Sequence, residues 1–288
     1  MRAQVRTSIQ SLQFDTSGWT VEQETPDVIK WTNDKSQFLS LHFFAKKPDI
    51  PCALERMDTL RAAYRQGLSQ SSGALISADR VVNNGLECVQ LIFKTPRQPH
   101  GMVYVGSLTF PFADCSYVAK IQCAEFGTSG VRDSFVLDAM LKDGSVSVNP
   151  ITKEIEGWSA DPYDPQFTAP LLRNRSDDRQ YDAQFPDHPL TAVRQILTGI
   201  LRSVGADDAL MAADKFRGPM PGQAGFPQSQ PMQAQQPTME RFQQPQPQIN
   251  ALREQSSMRS DRRGMEPPDR GDSADDDSKK QWWKFWKK

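Results

Sequence analysis

Leu75-Ile-Ser-Ala-Asp-Arg-Val-Val82, Leu86-Glu-Cys-Val-Gln-Leu-Ile-Phe93, Met102-Val-Tyr-Val-Gly-Ser-Leu-Thr-Phe110 and Tyr117-Val-Ala-Lys-Ile-Gln-Cys123 read as four successive strands between residues 75 and 126. All four are rich in β-branched and aromatic residues, which suit a pleated, half-buried surface. The first connection, Asn83-Asn84-Gly85, is a hairpin signal, because Asn and Gly accept the positive φ of a tight turn with the right twist. Lys94 to Gly101 is a longer loop and Pro111 to Ser116 the next turn. Such short connections predict an antiparallel meander.

Three shorter strands precede it, around Trp19–Glu24, Val28–Thr32 and Phe38–Phe44. Between the two groups the period changes. Leu54, Met57, Leu60, Tyr64 and Leu68 recur at three and four residues, which predicts a helix from about Ala53 to Gln70 with Pro51 ahead of it and Ser71-Ser72-Gly73 after it. A second helix is expected after the meander, capped by Thr128 or Ser129, with Val131, Phe135, Val136, Leu137, Met140 and Leu141 turned inward. The fold class is α+β: an antiparallel sheet flanked by helices over residues 1–142.

The order three strands, helix, four strands, helix resembles the Mog1/PsbP-like sandwich, shared by a Ran-binding nuclear-import factor, photosystem II extrinsic proteins and the bacterial DcrB and EagR chaperones. Ser17-Gly18-Trp19 at the first strand, the helix before the meander, the Asn83-Asn84-Gly85 hairpin and the closing helix with Phe135 carry the resemblance. It covers residues 5–142. It implies a binding module and supplies no catalytic residue.

Residues 143–216 read as an irregular arm plus an amphipathic helix. The arm spreads Trp158, Tyr163, Phe167, Tyr181 and Phe185 among turn formers, which a flexible linker rarely does. The helix, expected over 189–204, opens with His188 or Asp187 as cap and Pro189 in its first turn. Its apolar face, Leu190, Val193, Ile196, Leu197, Ile200 and Leu201, must be covered and is a candidate interface with a partner. Residues 217–280 are rich in Pro and Gln and then in charge, a composition expected to form a disordered tether. Residues 281–288 close the sequence as an aromatic-basic motif: Trp282, Trp283, Lys284, Phe285, Trp286, Lys287 and Lys288.

Lys and Arg total 34 against 35 Asp and Glu, so no global field favours nucleic acid, and the acidic Asp275–Asp277 run beside the tail argues against it. No continuous apolar leader and no membrane-length apolar run appears, which gives a cytoplasmic expectation, with peripheral membrane attachment through the tail as the variant. The four cysteines lack CxxC spacing and read as buried free thiols. No motif for a nucleophile, phosphate loop or metal site is present, so no catalytic residue, cofactor or metal ligand is assigned. His42 reads as a strand histidine, His100 as a loop residue, and Asp177, Asp178, Asp182 and Asp187 as a solvated acidic loop. The expectation is a non-enzymatic adaptor or chaperone-like module that docks a protein through its tail. The tail could also meet an anionic membrane, and the rival from another class is a hydrolase whose cleft in the sandwich holds substrate near Cys115, His100 or the acidic arm.

Overall fold

The computed structural model describes residues 7–219. In chain order its strands are β1 (Leu12–Gln13), β2 (Thr20–Glu24), β3 (Val28–Thr32), β4 (Phe38–Phe44), β5 (Ala74–Asn83), β6 (Leu86–Pro96), β7 (Met102–Pro111), β8 (Ser116–Ala124), β9 (Ser147–Val148), β10 (Ile155–Glu156) and β11 (Gly205–Ala206). The α-helices are α1 (Met57–Gln70), α2 (Val131–Asp143), α3 (Pro189–Ser203) and α4 (Asp208–Met211). Seven strands form one antiparallel sheet in the order β2-β3-β4-β8-β7-β6-β5. The fold is therefore α+β, as the strand and helix periods indicate.

The hairpin between β5 and β6 turns as its residues require, with Asn84 at φ 50° and Gly85 at φ 76°. It also does a second job. The Asn84 side-chain amide donates to the Val204 carbonyl at 3.2 Å and that of Asn83 to Leu201, so the turn satisfies carbonyls that the end of α3 leaves open.

One face of the sheet carries Leu39, Leu41, Tyr104, Leu108, Phe110, Tyr117, Ala119 and Ile121, and α3 lies across it. Leu190, Val193, Leu197 and Ile200 are buried in that core, while Ile196 and Leu201 pack at its margin. This apolar face, a candidate partner interface in the sequence, is instead covered by the chain's own sheet. Gly106 in the middle of β7 makes the approach possible, since a Cβ there would fall 2.6 Å from Val193 Cγ1.

Two helix starts differ from expectation. Helix α1 begins at Met57, so Leu54 is buried in the segment leading to it. Helix α2 begins after Gly130, which is left-handed at φ 71°, and not on a Thr128 or Ser129 side chain. Glu125 does the capping from a distance: its Oε1 accepts the Gly130 N–H at 3.0 Å and its Oε2 the Met102 N–H at 2.8 Å.

The arm after α2 is ordered against the sheet. Tyr163 hydrogen-bonds both backbone groups of Ala78 on edge strand β5, and its ring lies under the Arg61 guanidinium. Arg65 on α1 pairs with Asp161 and Asp164. All the described residues fall within a single unit. Residues 281–288, which carry the proposed tail motif, and positions 220–280 of the tether lie outside the described residues.

Candidate functional site

The orientation of α2 decides which surface the folded part presents. Apolar periodicity predicts that Val131, Phe135 and Leu141 point inward, yet Phe135 is 63% exposed, Val131 51% and Leu141 39%. The residue turned in is Arg132, at 1%. Arg132, Val136 and Met140 are spaced by four and form one stripe, so burying the arginine rotates the neighbouring stripe with Val131 and Phe135 toward solvent.

A buried guanidinium is tolerated only when its donors are met. Here Arg132 Nε donates to the Ser176 carbonyl at 2.7 Å and Nη1 to Thr191 Oγ1 at 3.1 Å. Its Nη2 reaches the Asp178 carbonyl and Asp182 Oδ1, each at 3.0 Å. Asp182 also takes Arg194 Nη1 of α3 at 2.7 Å. Next along α2, Asp133 accepts the Asn174 side-chain amide at 3.0 Å and the Ser176 hydroxyl. Lys94 on β6 completes the network, its Nζ 2.7 Å from Asp177 Oδ2 with both side chains out of water.

The acidic run expected to be solvated is thus corrected in part: Asp177 and Asp182 hold the arm to β6, α2 and α3. The sequence separations explain why it was illegible, since Lys94 and Asp177 are 83 positions apart. A weak signal existed in the apolar stripe of α2, where Arg132 falls on the same face as Val136 and Met140.

His188 is the N-cap of α3, its Nδ1 accepting the Leu190 N–H at 3.2 Å, which leaves Nε2 facing Glu125 Oε1 at 3.7 Å. Burial opposes ionisation of Glu125, but the nearby His188 ring and the hydrogen bonds from Gly130 and Met102 outweigh it and hold the carboxyl below its ordinary range. Both side chains therefore serve the start of a helix.

Cys115 and His100, two alternative landmarks of the hydrolase reading, lie at opposite ends of β7. His100 sits exposed in the loop before β7 and Cys115 in the turn after it, so ten residues of strand, roughly 33 Å, separate them. All four cysteines are buried free thiols. Burial raises Cys88 and Cys123 to about 12 and also raises Cys52 and Cys115. Since the thiolate is the reactive form, alkylation at neutral pH is expected to be at least tenfold slower in the native protein than in urea for every cysteine, as followed by mass spectrometry. One thiol reacting quickly in the native state would favour the nucleophile reading.

Among the described residues there is no group of three or more His, Cys, Asp or Glu placed to hold a metal ion. No helix among them is long and apolar enough to cross a membrane. What the site offers is a surface: Val131, Phe135 and Leu141 on α2, with Val148 and Ile151 exposed in the hairpin segment that follows. Asp143, Glu154 and Glu156 are exposed in the same stretch, and Asp138 is exposed but paired with Lys142 at 2.6 Å.

No family model matches the chain, and no curated protein matches it. Solved structures do. One is a crystal structure from Bacteroides thetaiotaomicron VPI-5482, at 11% identity and TM-score 0.27, covering 42% of this chain and 41% of that one. Another is the solution structure of cyanobacterial PsbP (CyanoP) from Synechocystis sp. PCC 6803, at 12% identity and TM-score 0.28, covering 47% of this chain and 84% of that one. These are what part of the chain is similar to; the α+β architecture itself rests on the seven-stranded antiparallel sheet and its helices.

Proposed function

We propose that the chain is a non-enzymatic, cytoplasmic protein-binding module that docks a partner on the outward face of α2 and makes a second contact through the aromatic-basic tail Trp282–Lys288. The observation that supports it is the inversion of α2, with a fully bonded arginine inside and Val131 and Phe135 outside. Large exposed apolar side chains with a polar rim mark interaction surfaces, and exposed aromatic residues are the usual anchors of binding energy. The acidic residues beside them favour a partner segment that carries apolar side chains flanked by basic ones. Four buried free thiols fit a reducing compartment.

A body of this kind joined by about sixty residues of tether to a second contact would raise the local concentration of one partner near the other. The test compares three chains in quantitative pull-downs: full length, Val131→Asp with Phe135→Asp, and a chain ending at Asp277. Val131 faces solvent and Phe135, though mostly exposed, keeps an edge-on contact with the Phe185 ring at 5.9 Å, so circular dichroism should match the parent and the melting temperature should fall only slightly. The double variant is expected to lose at least tenfold in partner recovery, in line with loss of an interface anchor, and the truncation to lose a second, additive share. Anionic liposomes are run in parallel. Full recovery with both changed chains would remove the reading, and loss of liposome binding alone on truncation would make the tail a membrane contact.

A further inference from the structure

Gly106 and Ile121 face α3, so their strand neighbours Ser107 and Lys120 face the opposite side of the sheet. On that side the registers align Lys30 with Ser40, Ser40 with Lys120 and Lys120 with Ser107, across β3, β4, β8 and β7. Strands lie about 4.8 Å apart. Lys30 and Lys120 therefore flank Ser40 with side chains long enough to converge over it. One pleat along β4, His42 Nε2 is 3.0 Å from Ser40 Oγ.

Lys120 is only 6% exposed, and its ammonium, which keeps some contact with water, makes no hydrogen bond or ion pair among the described residues. A charge largely withdrawn from water is costly without a counter-charge, and an apolar residue at this position would avoid that cost. We propose that the row Lys30, Ser40, Lys120 and Ser107 is a binding site for a small oxyanion, a carboxylate or a phosphate. The two ammonium groups supply charge and the two hydroxyls supply donors of fixed position.

Two other titratable groups border the row: Glu22, whose Oε1 accepts the hydroxyl of Thr32, one pleat along β3 from Lys30, at 3.2 Å, and His42, whose pKa is lowered to about 4 by burial and then by Lys120 and Lys30. Arg80 and Glu87, at the far edge of the same face, pair with each other, and Arg80 also pairs with Glu55. Helix α1, packed on β5, brings Arg61 and Arg65, each paired with aspartates: Asp58 and Asp79, Asp161 and Asp164. Burial alone lowers Lys120, to about 8. A bound anion favours the charged ammonium and so raises that value. Binding above about pH 8 then takes up a proton, and affinity falls as pH rises through this range.

The full-length chain is titrated with inorganic phosphate and, separately, with acetate, against sodium chloride of matched ionic strength. The readouts are heat and the 15N resonances of the His42 ring. Saturable binding of at least one oxyanion is expected, about tenfold weaker at about pH 9 than well below pH 8. Which anion saturates distinguishes carboxylate from phosphate. Lys120→Met should abolish binding with no loss of melting temperature, because it removes an uncompensated buried charge. Lys120→Arg, charged at every accessible pH, should bind without the pH step. Unchanged binding in Lys120→Met, or an effect no larger than that of sodium chloride, overturns the proposal.

Discussion

Lys94→Met is expected to destabilise the fold by about 3–5 kcal/mol, the usual cost of leaving one member of a buried ion pair without its partner. Lys94 Nζ and Asp177 Oδ2 are 2.7 Å apart with side chains essentially out of water. Asp177 Oδ2 also accepts the Asn174 N–H at 2.9 Å, whereas Oδ1 has no hydrogen-bond partner. Without the lysine, a carboxylate remains in a site that offers it one backbone amide. Single domains are stable by roughly 5–15 kcal/mol, so the loss is a large part of the whole. Urea unfolding of the parent, Lys94→Met, Asp177→Asn and the double variant measures it. The double variant should recover most of the loss, since a neutral amide can keep the Asn174 contact and no charge is left stranded. A cost under about 1 kcal/mol for Lys94→Met would mean that the pair is open to water. Hydrogen exchange should locate the damage in residues 174–188, the part of the arm that the pair holds.

The same network shows where sequence reasoning stops. The meander was legible because alternation, turn residues and strand length all agree locally, and the four strands 75–123 appear within two or three residues of their expected ends. Helix α3 was legible as a buried-face helix, down to His188 and Pro189 at its start. Its address was not: periodicity tells that Leu190, Val193 and Leu197 need cover and carries no information on whether the cover lies in the same chain. Gly106 was the available clue, since a glycine inside a strand marks a close approach of another element. Helix α2 was misread because apolar counting sends an arginine outward, and only the acceptors supplied by Ser176, Asp178, Asp182 and Thr191, some 44 to 59 positions away, reverse that choice. Lys120 was hidden differently. Reading Tyr117–Cys123 as a strand says nothing of its polar members, although strand parity places Lys120 and Ile121 on opposite faces.

Gly106→Val is expected to be as damaging as the loss of Lys94, and for a steric reason. A Cβ at position 106 would lie 2.6 Å from Val193 Cγ1, 2.7 Å from Leu197 Cδ1 and 3.0 Å from Ile121 Cγ2, distances no packed core accepts without movement. Val193 and Leu197 are fully buried and Val193 is β-branched, so neither can turn aside and α3 must lift from β7. Adding even small groups to a packed core costs about 1–3 kcal/mol. Gly106→Ala should fall in that range, and Gly106→Val, with two further methyl groups, above it. Lifting α3 also strains what it carries: the Asn83 and Asn84 amides at its end, and the Thr191 and Arg194 contacts that help keep Arg132 inside. The consequence reaches the surface, because α2 presents Phe135 only while Arg132 is held. Gly106→Ala combined with Val193→Ala tests the mechanism, since removing Cγ1 opens the space that the new Cβ needs. That pair should be more stable than the sum of its single changes by about 1 kcal/mol or more. Strict additivity in urea unfolding would mean that α3 is not seated on Gly106, and the argument for the outward face of α2 would lose its support.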